Sequence, residues 1–171
     1  MKKQIYMLVS SGLILVGSLA NTASAGCVDV KGKIENNALA GSLTLGVAAM
    51  EFGRVKMRCA VYGVPQLPTP LGPSYQHTLV CDDDLGATEA HSQITVDTSF
   101  AAPPAVTGYC ATGNPYGQVS FTFQEHSVPI AGTGRGKFAG VIVEGSAIDI
   151  TGSANCNGGI NMKFQGKICT P

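Results

Sequence analysis

The chain has 171 residues, 13% of them charged, with 22 Gly, six Cys and no Trp. Eleven Lys and Arg balance eleven Asp and Glu, which excludes the basic surface that a nucleic-acid binder needs to neutralise phosphates. A hydrophobic content of 44% with so few charges also excludes a disordered chain, because there is enough apolar surface to bury.

Residues 1–25 read as a cleaved secretory signal peptide. Lys2 and Lys3 form a positive start, Ile5 to Ala20 an apolar stretch, and Ala23-Ser24-Ala25 the small side chains that a signal peptidase accepts. The apolar run is roughly 16 residues, short of the ~20 that span a bilayer. A membrane anchor and lipid attachment at Cys27 are the weaker alternatives, the second because Ser24 stands where a Leu-like residue is preferred. Cleavage after Ala25 removes 25 residues, leaves 146 from Gly26 to Pro171 as a single domain, and with Lys2 and Lys3 takes the formal charge from zero to −2. The destination is the periplasm or the exterior of a bacterial cell. All six cysteines stay in that oxidising compartment, an even number that implies up to three disulfides.

From there on the chain alternates apolar and polar residues with a period of two, the mark of half-buried strands. The clear segments are Arg54–Val61, Ser92–Phe100, Gly117–Glu125 and Ile160–Ile168. Val28–Ile34, Leu43–Val47, Gln76–Cys81, Phe138–Val143 and Ala147–Thr151 alternate less cleanly. No helical period lasts beyond two turns, although Leu45–Phe52 is compatible with one turn of helix. The pattern predicts an all-β, disulfide-stabilised antiparallel β-barrel of about eight or nine strands, with a β-sandwich as the alternative.

The connections are marked by proline and glycine. Gly63–Ser74 carries Pro65, Pro68, Pro70 and Pro73, a stiff loop; Ala101–Gly108 contains Pro103-Pro104; and Cys110–Tyr116 contains Asn114-Pro115. Asn157-Gly158 predicts a two-residue hairpin turn that sets Cys156 opposite Gly159. On that geometry Cys169 lies roughly 33 Å from the turn, too far to bond Cys156. A symmetrical hairpin across the proline loop sets Cys59 opposite Cys81. Cys27 with Cys169 would then join the terminal strands of a closed sheet and leave Cys110 with Cys156, but only the Cys59–Cys81 pair has a geometric argument.

Motifs for chemistry are sparse. Gly132-Thr133-Gly134-Arg135-Gly136-Lys137 has phosphate-loop composition, yet the following Phe138–Val143 is apolar strand instead of helix, so a glycine turn is the better reading. Asp82-Asp83-Asp84 with Glu89 and His91 lacks calcium-loop spacing and reads as a solvated acidic turn. No metal or cofactor is expected. His77, His91 and His126 are scattered, and no local motif supports a catalytic triad. Tyr62, Tyr75, Tyr109 and Tyr116 lie beside loops, and with Arg135 they form a candidate ligand-contacting rim; the alternative is that the rings cover the ends of the core.

The segment Gly132-Thr133-Gly134-Arg135-Gly136-Lys137-Phe138-Ala139-Gly140-Val141, with Gly145 and Met162–Ile168, resembles the C-terminal third of secreted β-barrels of the allene oxide cyclase and dirigent-like type. The likeness covers about 40 residues. It departs by inserting Gly136-Lys137 before Phe138, and it transfers no catalytic carboxylate. The resemblance implies a barrel with an apolar cavity.

These observations lead to an exported, non-enzymatic barrel that binds a small or extended ligand at its loop end: a small apolar molecule, a glycan or a surface protein. No nucleic acid is a partner, and no membrane span remains after signal cleavage. Two rivals stand beside it, a surface structural or adhesive protein that assembles through strand edges and an isomerase or cyclase using the cavity.

Overall fold

A computed structural model describes residues 26–39, 42–82 and 91–171; the expected signal segment and most of the residues expected to form an acidic turn after Asp82 lie outside these residues. The described residues form nine strands in chain order: β1 (Gly26–Ala38), β2 (Thr44–Phe52), β3 (Val55–Pro65), β4 (Ser74–Asp82), β5 (Ser92–Phe100), β6 (Ala105–Tyr109), β7 (Val119–Pro129), β8 (Ile142–Ala154) and β9 (Gly159–Thr170). Every pairing is antiparallel, and the strands run in the order β5-β4-β3-β2-β1-β9-β8-β7. The sheet closes because β7 also pairs with β5, Val96 opposite Pro129 through Phe100 opposite Glu125. The result is an eight-stranded barrel, with β6 a ninth strand that continues along the same edge of β7, Ala105 opposite Thr122 and Tyr109 opposite Val119.

Alternation decides what faces inward. Val30, Ile34, Ala48, Met50, Met57, Val61, Leu79, Ile94, Val96, Ile148, Ile150, Met162, Phe164 and Ile168 form one buried cluster. The interior of eight strands is just wide enough for such side chains to fill, and only about 30 Å³ stays empty at its centre. Gly152 makes room for a ring: a Cβ there would overlap Phe123 and come within 2.8 Å of Met162 Cγ.

Four expectations are corrected. Leu45–Phe52 is strand β2, because its registers with β1 and β3 bury Ala48, Met50 and Phe52 at every second position. Phe138 is not in a strand; it sits in a short 3-10 turn, Gly136–Phe138, and β8 starts only at Ile142. The β8–β9 turn is a three-residue loop, with Asn155 opposite Gly159 through the Asn155 N–H donating to the Gly159 carbonyl at 3.0 Å. Gly158 holds φ +80 there, a left-handed conformation that suits the last loop position. Part of the Ala101–Gly108 connection forms β6, whose side chains carry no core, which is why apolar alternation did not reveal it.

The glycine-rich connection seals the barrel. Beyond Pro129 the chain stays against β5: the Ile130 N–H donates to the Thr95 carbonyl at 2.9 Å, and Arg135 exchanges backbone bonds with Gln93 at 2.8 and 3.2 Å. Gly136, at φ +60, then turns the chain inward. Phe138 enters the barrel end, fully buried against Phe52 with ring centroids 5.1 Å apart. That end is plugged.

Three disulfides tie the shell, Cys27–Cys169, Cys59–Cys81 and Cys110–Cys156. The first joins β1 to β9 across 142 residues of sequence and the second joins β3 to β4 across 22. On the chain-entropy account the longer loop stabilises more, about 5 against about 3 kcal/mol. Replacing both Cys27 and Cys169 by Ser is therefore expected to cost more in guanidinium unfolding than replacing both Cys59 and Cys81. The reverse order would show that native strain, not loop closure, governs these bonds.

Candidate functional site

With one end plugged by Phe138, the opposite end is the opening, where β3, β5, β7 and β8 finish or start beside the proline loop. A pocket of about 80 Å³ lies there, lined by Thr44, Pro73, Tyr75, His77, Phe100, Phe121, Phe123, Glu125, Ala154, Ile160 and Met162. Strand period places these residues: Tyr75 and His77 are inward positions of β4, Phe121, Phe123 and Glu125 of β7, and Ile160 and Met162 of β9. Four aromatic rings thus surround one carboxyl group, with Phe123 between Phe100 and Phe121 at 5.9 Å from each.

The polar groups divide into a hydrogen-bonded chain and two residues with an orphaned oxygen, Asn36 and Glu125. His77 Nδ1 lies 3.1 Å from Thr98 Oγ1, and Thr98 Oγ1 lies 2.7 Å from Ser127 Oγ. Asn36 Nδ2 donates to Thr44 Oγ1 at 3.3 Å, while Asn36 Oδ1 has no partner among the described residues. Asn36 does not line the pocket, and Glu125 does. Its side chain belongs to a residue only 6% exposed, and its Oε2 has no hydrogen-bond partner among the described residues. A buried carboxyl oxygen without a donor costs free energy that the fold does not recover, and a site that carries such a cost invites explanation by a ligand.

Burial sets the protonation of this cluster. It pushes the Glu125 carboxyl up to about 7 and the His77 imidazole down to about 4. The Tyr75 phenol is raised, first by burial and then by the neighbouring Glu125 charge. Tyr75 also stacks on His77, with ring centroids 5.7 Å apart. At neutral pH the histidine is an uncharged hydrogen-bonding wall, and the carboxyl is balanced between its two forms.

Comparison of the chain with protein-family models, curated proteins and solved structures gives no match. The site therefore has to be read from its own chemistry.

Of the residues singled out from the sequence, only Tyr75 lines the pocket. Tyr62 is 43% exposed on the outer face of β3, between the inward Val61 and Gly63. Tyr109 is 87% exposed at the end of β6, and the Tyr116 ring lies over Gly158 in the loop held by Cys110–Cys156. Arg135 sits at the plugged end. The barrel thus separates Arg135 from the tyrosines, and the joint rim does not form. Glu125 and His77, which matter most here, carried no local motif. The one available signal was a carboxylate at an inward position of the alternating run Val119, Phe121, Phe123.

A wider groove of about 650 Å³ crosses the barrel's outer face beneath Ala102-Pro103. Its polar lining, including Lys33, Glu35, Gln124, Asn161 and Lys163, is solvent-exposed. No orphaned group lies in it among the described residues. No cluster of metal-ligating residues occurs among the described residues either.

Glu125 and His77 have opposite effects on stability. Unfolded, they titrate near 4.5 and 6.5. As pH falls from 7 towards 4.5, the folded protein holds a proton on Glu125 that the unfolded chain releases, so this group stabilises the fold. From 6.5 down to about 4 the unfolded chain takes up a proton that folded His77 refuses, so that group destabilises it. Glu125→Gln removes only the first contribution. The thermal midpoint of that variant, followed by far-UV circular dichroism, is expected to drop from pH 7 to pH 5 more steeply than that of the parent. Parallel curves would place the Glu125 titration outside this range.

Proposed function

We propose that the chain is an exported binding protein, whose barrel takes a small ligand in the pocket at its loop end and performs no chemical step on it. The observation that carries this reading is the orphaned Glu125 oxygen within aromatic walls at the unplugged end. A pocket with apolar walls and a few convergent polar groups is what small-molecule recognition requires. The resemblance of the C-terminal third to cavity-bearing secreted barrels supports the same reading. Barrel closure weighs against assembly through strand edges, since among the described residues the five-residue β6 is the only strand with a neighbour on one side alone.

The test is a fragment screen by amide NMR on the disulfide-bonded protein. Binders are expected to shift the amides of β4, β5 and β7 around Tyr75, Phe100 and Glu125. Phe121→Ala should weaken them about tenfold, an aromatic wall being worth on the order of 1–1.5 kcal/mol, while Tyr109→Ala leaves them unchanged. Hits that ignore Phe121 would remove the pocket from consideration.

A second reading has one observation in its favour. A carboxyl group titrating near 7 is suited to general acid–base catalysis of an isomerisation. Small carbonyl compounds incubated with the protein in D₂O distinguish the two: Glu125-dependent deuterium uptake at carbon supports catalysis, and its absence supports binding alone.

Export is supported by the three disulfides and by the signal segment. Protein recovered from the periplasm or medium of an expressing bacterium is expected to start at Gly26. An uncleaved chain retained in the cytoplasm would refute it.

A further inference from the structure

Resting on the ligand-pocket reading, a more specific identification follows from what the pocket lacks. Among the described residues, Glu125 is the only one lining it that ionises around neutral pH, and no Lys or Arg lines it. From β5, β8 and β9 it is faced only by Phe100, Ala154, Ile160 and Met162, and from β4 by Tyr75 and the neutral His77. The carboxylate is therefore buried without a counter-cation, which is an unfavourable arrangement unless a cation is supplied from outside.

We propose that the pocket binds the ammonium head of a small organic amine, with Glu125 as its counter-charge. Three features select this class. An ammonium group brings N–H donors and no acceptor, which matches the unpartnered Glu125 Oε2. Tyr75, Phe100, Phe121 and Phe123 line the same pocket as Glu125 and supply the aromatic rings that attract a cation paired with its carboxylate. The space of about 80 Å³ accepts a head group with a few carbons, well below the roughly 300 Å³ at which pockets enclose a drug-sized ligand. The ligand's tail then leaves past Pro73 and Ala154 at the mouth. Anions are rejected because the pocket offers them one negative charge and no cation. A neutral alcohol gains the apolar contacts but neither the ion pair nor the cation–π attraction.

The affinity should follow the ionisation of Glu125. Below pH 7 the carboxyl takes up a proton that must leave before the ammonium binds, so the affinity falls by up to about tenfold per pH unit. From pH 7 to about 9 it is nearly constant, because aliphatic amines remain protonated like a lysine side chain.

The experiment titrates n-butylamine and its neutral counterpart butan-1-ol into the disulfide-bonded protein, followed by amide NMR at pH 7.5 and pH 5.5. Butylammonium is expected to bind at least tenfold more tightly than the alcohol at pH 7.5 and to lose most of that advantage at pH 5.5. Glu125→Gln, with native dispersion of its amide spectrum as the control for folding, should weaken the amine by about 10- to 100-fold and leave the alcohol unchanged. If that variant does not fold, Phe100→Leu replaces it and should weaken the amine more than the alcohol. Equal binding of amine and alcohol, or an amine affinity indifferent to Glu125→Gln and to pH, overturns the ammonium assignment while leaving a ligand pocket in place. Failure of both probes to shift the pocket amides, together with an empty fragment screen, overturns the pocket itself.

Discussion

The structure depends on one pairing, the five-residue ladder that joins β5 to β7 and turns a meander into a barrel. Without it the sheet would have two long open edges, each offering unpaired N–H and C=O groups to other chains. With it the inward side chains of eight strands meet across a common axis. The ladder covers only Val96–Phe100 on β5, so it is extended in both directions by less regular chain. Ile130 and Arg135 continue it towards the plugged end, and β6 continues along β7 beyond the mouth. The seam is thus the place where the most irregular segments of the molecule are found.

Closure also explains why the two ends of the barrel differ. At one end the connection that seals the seam turns inward at Gly136 and buries Phe138 against Phe52. At the other end the long proline-marked connections run over the rim and leave the interior accessible. Glu125 lies on the seam itself, opposite Phe100 in the closing ladder. Its burial, and with it the raised affinity for its proton, follows from the same five residue pairs that close the sheet. The balance between a carboxyl that favours low pH and an imidazole that resists it is a property of this one end of the barrel.

Much of the fold was legible because burial on one face of a strand imposes a period of two. Ser92–Phe100 shows this most cleanly, and its alternation of Ile94, Val96, Thr98 and Phe100 is the inward set of β5. The same rule failed for Leu45–Phe52, where Ala48-Ala49-Met50 blurs the alternation and resembles a helical turn. It also failed for Phe138–Val143, where an apolar run belongs to a plug and only then to a strand. β6 had no apolar period to find, since a strand that adds nothing to the core is held by its backbone pairing with β7 and the exposed Thr107–Ser120 side-chain hydrogen bond.

The site was far less legible. Proximity of tyrosines to loops was a reasonable signal, yet three of the four rings lie outside the pocket, and Arg135 is at the far end. Local sequence determined which residues of the clearest strands face inward and where most connections fall, because each of these is set by neighbours within a few positions. Only the tertiary structure decided that the sheet closes, which end stays open and that Glu125 is left among aromatic rings without a partner. Those outcomes depend on residues such as Tyr75 and Glu125, 50 positions apart, that meet only when β5 and β7 come together.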